Sequence, residues 1–227
     1  MSAQTTRLLV LGVVQIFGPA NGYQLRRELL SWEVERWAHL NPGSIYSMLT
    51  TLEKQGAIER HDLTLDEGGR EVAVYTMTDA GAVEFERLVF DAIADVPDSG
   101  DALPLRVAMS FGPGLTRARF LDALGARIIA LRVGMTEFGT KVAGMRDPLI
   151  VPPHVLKELE FELALIRTQL EWLLGFEAEV QAGELEFRGE EGHAGSWTPP
   201  ADDPGWKMAH ERERYLAKIA SNSTKRA

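Results

Sequence analysis

Ser44, Tyr46, Ser47, Thr50 and Lys54 gather three aliphatic hydroxyls, a phenol and an ammonium on one side of a short periodic stretch. Ile45, Met48, Leu49 and Leu52 fall at i, i+3, i+4 and i+7 and define the opposite, apolar side of a helix. Small polar groups plus one cation, carried on a narrow helix, match what base edges and their flanking phosphates present. Tyr46, Ser47 and Thr50 are therefore the expected groove-facing residues, with Ser44 and Lys54 on phosphates. Other chemistry has little material. Cysteine is absent, so disulfides, thiolate metal sites and a cysteine nucleophile drop out. The five histidines are scattered, and His154 with Glu158, one helical turn apart, reads as a solvated surface pair. No nucleophile elbow, phosphate loop or dinucleotide fingerprint occurs, and Gly112-Pro113-Gly114 lacks the preceding strand that a phosphate loop needs. No enzyme, cofactor or metal is expected.

The polar helix needs neighbours to hold it. Asn41 can cap it, Pro42 suits its first position and Gly56 stops it. Ala57 to Thr64 continues as a strand, turns through Asp66 to Arg70, and returns as Glu71 to Met77 with period-two alternation. A helix followed by such a hairpin is a winged-helix ending, in which Gly68-Gly69 permits a tight wing tip and Arg70 supplies its cation. Upstream, Thr5 or Thr6 caps a first helix striped with Leu8, Leu9, Val13, Ile16 and Phe17, ended by Gly18-Pro19. Asn21 caps a second helix, with Gln24 completing a capping box. Between the second and third helices, Trp32 and Trp37 have two readings: filling a seam between domains, which is the simpler, or lining an effector cavity.

These segments resemble the PadR-like (phenolic acid decarboxylase repressor) transcriptional regulators. The resemblance is carried by Leu8-Leu9-Val10-Leu11-Gly12, Gly18 to Leu25, Asn41 to Tyr46, Leu49 to Ile58, Gly68-Gly69-Arg70 and Tyr75 to Gly81, in matching order and spacing over roughly the first 90 residues. It implies a winged helix-turn-helix that binds DNA. Tyr23 has two readings, a half-buried ring packing the second helix or, as the resemblance suggests, a hydroxyl reaching a phosphate.

The charge balance runs against simple nucleic-acid binding. Net charge is −9, and residues 1–90 hold eight Lys/Arg against twelve Asp/Glu. DNA contact must rest on a few cations gathered on one face, with affinity that falls steeply with salt. No apolar run reaches the ~18 residues of a membrane span, and the start of the sequence lacks a basic segment followed by a cleavable apolar one. A cytoplasmic location and no membrane partner are expected.

Thr78 caps a helix reaching about Ala94, and the polar, Pro- and Gly-containing stretch after it marks a domain boundary. Leu121, Leu124, Ile128, Leu131, Met135, Phe138 and Val142 then alternate by three and four, as do Leu156, Leu159, Leu163, Ile166, Leu170 and Leu173. Two such helices joined by a loop rich in Gly and Pro are antiparallel or splayed. Phe120, Ile129, Phe161, Leu165, Trp172 and Phe176 lie off these seams, so a second copy of the chain is expected to cover them. In the longer PadR-like subtype the corresponding region resembles a dimerisation domain, and Leu121, Leu124, Ile128, Leu131, Leu156, Leu159, Leu163, Ile166, Leu170, Trp172 and Leu173 are the expected dimer residues. Residues 184–204 read as an acidic linker, and Trp206 to Ile219 as a last amphipathic helix, expected to dock on the dimer.

The expected architecture is mainly α with a small β-hairpin. Residues 1–94 form a winged helix-turn-helix, 95–183 an antiparallel long-helix dimerisation domain, and 184–227 the linker and terminal helix. The expected function is a homodimeric, sequence-specific DNA-binding regulator, a repressor on an inverted repeat, with release by a small-molecule effector left open at Trp32 and Trp37. The alternative is a winged-helix protein-interaction module without specific DNA binding.

Overall fold

The computed structural model describes residues 3–65, 71–97, 102–146, 150–190 and 205–226. Contacts divide the chain into two units, Met1–Val89 with Arg106–Phe111 and Ala194–Ala227, and Phe90–Leu105 with Gly112–His193.

The first unit begins with α1 (Ala3–Phe17), whose Leu8, Leu9, Leu11 and Val13 are buried. Neither Thr5 nor Thr6 caps this helix: it starts at Ala3, and both threonines are buried in its first turn. A two-residue strand, β1 (Ala20–Asn21), precedes α2 (Gly22–Ser31). Asn21 Oδ1 accepts from the Gln24 amide at 3.0 Å while Gln24 Oε1 accepts from the Asn21 amide at 2.8 Å, the reciprocal capping that the spacing predicts. One turn of helix, α3 (Val34–Trp37), leads into α4 (Pro42–Lys54). Asn41 Oδ1 accepts from the Gly43 amide at 2.8 Å at the α4 start. Gly56 follows its end at φ 73°, a left-handed conformation that costs a side chain with a Cβ.

Strands β2 (Ile58–Thr64) and β3 (Glu71–Met77) pair antiparallel, Ile58 against Met77 through Thr64 against Glu71. The sheet has three strands in the order β1-β3-β2, where the sequence suggests a plain hairpin. Two residues cannot show the alternation by which a strand is read, and β1 exists only because β3 supplies its partners. The wing tip, with Gly68, Gly69 and Arg70, lies outside the described residues. Helix α5 (Asp79–Ala94) starts under Thr78, whose Oγ1 accepts from the Gly81 amide at 3.1 Å; its Phe85, Leu88 and Val89 belong to the first unit.

The short α6 (Leu103–Met109) is divided between the units at Leu105, and in the second unit a 3-10 turn (Gly112–Gly114) precedes α7 (Arg117–Arg146), which with α8 (Pro153–Ala182) makes a long hairpin. Its sense is antiparallel: Arg146 pairs with Glu160 at 2.6 Å at one end, and Arg117 donates to the Val180 carbonyl at the other. Leu124, Ile128, Leu131, Leu156, Leu170 and Leu173 are buried within this single chain, and Leu121, Leu159, Leu163 and Ile166 are half-buried. The seam expected as a contact between copies is thus filled inside one chain. Periodicity shows that a helix needs a partner but not which chain provides it, and a short connection keeps the sibling helix at a far higher effective concentration than a second molecule. Of the expected dimer residues only Trp172 stands outside the seam, 55% exposed. Ile129, Val133, Phe161 and Leu165 are also open, each more than half exposed.

Two arginines close the helix ends of this unit. Arg127, 2% exposed, donates Nη1 to the carbonyls of Ile93 and Asp95, covering the C-terminus of α5. Arg117 grips Glu190 through Nε and Nη2, each at 2.7 Å, and its Nη2 reaches the Leu185 carbonyl at 2.7 Å. Among the described residues no helix is long and apolar enough to cross a membrane.

Helix α9 (Gly205–Arg226) belongs to the first unit. It docks on the winged-helix sheet of its own chain, where Tyr215 is buried with Leu63 and Val74.

Candidate nucleic-acid interface

Helix α4 carries the polar face as the sequence sets it out. Ile45, Leu49 and Leu52 are at most 1% exposed, which fixes the rotation of the helix and turns Tyr46, Ser47, Thr50 and Lys54 outward. Ser44 is half-buried at the rim. Three aliphatic hydroxyls along this side of the helix give their protons to the helix itself. Ser47 Oγ donates to Gly43 O at 3.2 Å, Thr50 Oγ1 to Tyr46 O at 3.1 Å, and Thr51 Oγ1 to Ser47 O at 2.9 Å. What they show outward are oxygen lone pairs and, at Thr50, a methyl group. Such a surface takes amino donors from adenine N6 or cytosine N4 and packs on the thymine methyl.

The start of α2 adjoins this face. A Cβ on Gly22 would lie 3.0 Å from the Tyr46 ring, so the missing side chain lets the ring rest against α2. Tyr23 is 63% exposed, and of its two readings this disfavours packing: the ring stands in solvent, open to a phosphate. Arg26, one turn further along α2, was not singled out from the sequence, although its i+3 spacing from Tyr23 is the signal for it.

Four cations of residues 1–90 are paired with carboxylates. Arg7 meets both oxygens of Glu84 at 2.6 Å, and that hydrogen bonding holds the Glu84 carboxyl below its ordinary range against the opposing effect of burial. Arg27 pairs with Glu28, Arg36 with Glu33, and Arg60 with Asp62 at 2.8 Å. Arg60 faces Tyr75 across the hairpin, and burial pushes the Tyr75 phenol above its ordinary value while Arg60 pulls it down. Lys54 and Arg26 have no carboxylate partner among the described residues. An interface built on so few free cations gains little from non-specific attraction and must rely on fit. Arg70 lies outside the described residues.

Trp32 and Trp37 are held in place. Trp32 sits 6.2 Å from the Phe17 ring and 5.9 Å from the Phe111 ring. Trp37 Nε1 donates to Trp32 O at 2.7 Å, and the Arg106 guanidinium lies 4.3 Å above the Trp37 ring. Both rings are packed partners here.

Residues 10–87 match the model of the family described as Transcriptional regulator PadR-like family, which bears out the resemblance over the winged helix. No curated protein matches the chain. Among solved structures, Bacillus subtilis PadR in complex with operator DNA is 18% identical, covering 77% of this chain and 98% of that one, with a TM-score of 0.35. A PadR-like transcriptional regulator from Bacillus cereus is 20% identical, covering 78% and 99%, with a TM-score of 0.32. Overlays this loose place no residue of the present chain.

Proposed function

We propose that the chain, PadR-like over residues 10–87, is a sequence-specific DNA-binding transcriptional regulator that acts as a homodimeric repressor on an inverted repeat. The observation that carries this reading is the α4 face: an exposed row of Tyr46, Ser47, Thr50 and Lys54 backed by fully buried Ile45, Leu49 and Leu52, inside the stretch that matches the family. A reading helix must be rigidly oriented and polar outward, and this one is both. Tyr23 and Arg26 supply phosphate contacts from α2, Ser44 and Lys54 from α4, and Arg70 from the wing.

The dimer rests on the apolar residues that the α7–α8 hairpin leaves open, and its two recognition helices address half-sites about one duplex turn, ~34 Å, apart. A small-molecule effector acting through Trp32 and Trp37 would have to displace Phe111 or Arg106 from their rings, so repacking there would be its signature. The test is a titration of the full chain against a labelled duplex from upstream of its own gene, beside a scrambled duplex. Thr50→Glu puts a carboxylate against the groove and should abolish the preference for the upstream duplex with the melting temperature unchanged. A mutant that discriminates as well as the parent shows that α4 is not the reader.

A further inference from the structure

The acidic balance of the chain hides one basic element. Helix α9 carries six Lys/Arg (Lys207, Arg212, Arg214, Lys218, Lys225 and Arg226) against Glu211 and Glu213, while the whole protein is at −9. A basic helix in solution is usually just a solvated face. This one is anchored. Tyr215 is 3% exposed against Leu63 and Val74, with Leu65, Val72 and Ile219 packed around them, and Met208 is 4% exposed.

The anchor points lie on the DNA-binding apparatus. Asn21 Nδ2 donates to the Tyr215 hydroxyl at 3.3 Å, and Gln24 Nε2 donates to the Glu211 carboxylate. Asn21 and Gln24 are the two capping residues of α2, and they bracket the exposed Tyr23. The start of α2 therefore touches α4 on one side, where Gly22 abuts the Tyr46 ring, and α9 on the other, through Asn21 and Gln24. Glu211, one of the two acids of α9, is turned inward onto Gln24, whereas Arg212 and Lys218 are exposed with no carboxylate partner among the described residues. The twelve acids of residues 1–90 outnumber their bases by four, and the six bases of α9 outnumber its acids by four, so α9 brings the summed charge of these segments to zero.

We propose that α9 is a second DNA-contacting element of the winged-helix unit, in which Arg212 and Lys218 hold duplex phosphates beside those bound by α2. The inference rests on the DNA-binding function proposed for α4. Phosphate contacts carry no sequence information, so they act alike on every duplex, and each contributes close to one unit of the salt dependence of log K. Two side chains on the rim of the unit also explain how a protein with few free cations on α4 acquires enough attraction to find its site.

The test measures binding of the full chain to the upstream and scrambled duplexes between about 50 and 200 mM salt, for the parent, Arg212→Ala/Lys218→Ala and Arg212→Lys/Lys218→Arg. The alanine pair should lower the salt slope by about two units and weaken both duplexes by the same factor, roughly tenfold near 150 mM, while the charge-preserving pair keeps the parent slope. Both substitutions are on exposed positions, and an unchanged melting temperature confirms that α9 stays docked. If the parent binds and the alanine pair keeps its slope and affinity, α9 does not touch DNA. If the alanine pair binds more tightly, α9 competes with DNA and the proposal is overturned. A parent that binds neither duplex refutes the DNA-binding function itself, and α9 falls with it.

Discussion

Leu165 and Ile166 are neighbours on α8 with opposite expected roles. Ile166 lies half-buried in the seam with α7, and Leu165 is 55% exposed. Leu165, Phe161 (64% exposed) and Trp172 (55%) recur along α8, and each leaves on the order of 100 Å² of apolar surface in water, taking ~150–250 Å² for an aromatic side chain and somewhat less for leucine. Burying all three from both copies removes roughly 600 Å² from water, which at about 25 cal/mol per Å² is ~15 kcal/mol gross. Association costs of ~4–15 kcal/mol consume much of it, so a dimer formed on this face would have little to spare. Leu165→Glu removes about a third of that area, ~5 kcal/mol, and so should raise the dissociation constant by three decades or more. The folded chain should barely notice, because exposed substitutions stay within about 0.5 kcal/mol. Ile166→Asp should do the reverse: a carboxylate in the seam destabilises the hairpin by several kcal/mol, visible first as a lower melting temperature. Sedimentation velocity and thermal melts on the three proteins decide it. A monomeric parent at micromolar concentration, or an Ile166→Asp chain that melts like the parent but dissociates while Leu165→Glu stays dimeric, would refute the division between seam and outer face.

Arg70→Ala should weaken DNA binding most on sites with narrow, A·T-rich minor grooves and reduce the salt slope by about one unit, read by fluorescence titration; equal affinity at low salt excludes a wing contact. Arg127→Ala should cost several kcal/mol in denaturant unfolding, since it uncovers the Ile93 and Asp95 carbonyls and leaves a cavity, and Arg127→Met should cost less because it refills the volume without a buried charge. The Glu84 carboxyl is depressed by its hydrogen bonds from Arg7, so the pair contributes stability above the unfolded carboxylate range near 4.3 and loses it as pH falls through the lower folded value. Arg7→Met should therefore remove about 1 kcal/mol at pH 7 and nearly nothing at a pH below that value, measured by urea unfolding at both.

The polar helix was legible in the sequence because everything that fixes it is local. Asn41, Pro42, the Ile45-Leu49-Leu52 spacing and Gly56 lie within sixteen residues, and each acts on its immediate neighbours. What stayed hidden depends on partners far along the chain. Arg127 looks like any helix arginine until Ile93 and Asp95 are brought against it, and β1 is two residues with no pattern until β3 pairs with it. The three-four repeats named the faces that needed covering, and only the chain path showed that α7 and α8 cover each other. Charge misleads for the same reason. Counting residues 1–90 alone gives an acidic unit, because the six bases that join it arrive from beyond residue 204 on a helix that Tyr215 pins to Leu63 and Val74. The electrostatic character of a folded unit follows from which segments fold onto it: the excess of four acids in residues 1–90 falls to zero once α9 is counted with them, so a charge count by sequence window can overstate an acidic balance even when every residue in the window is assigned correctly.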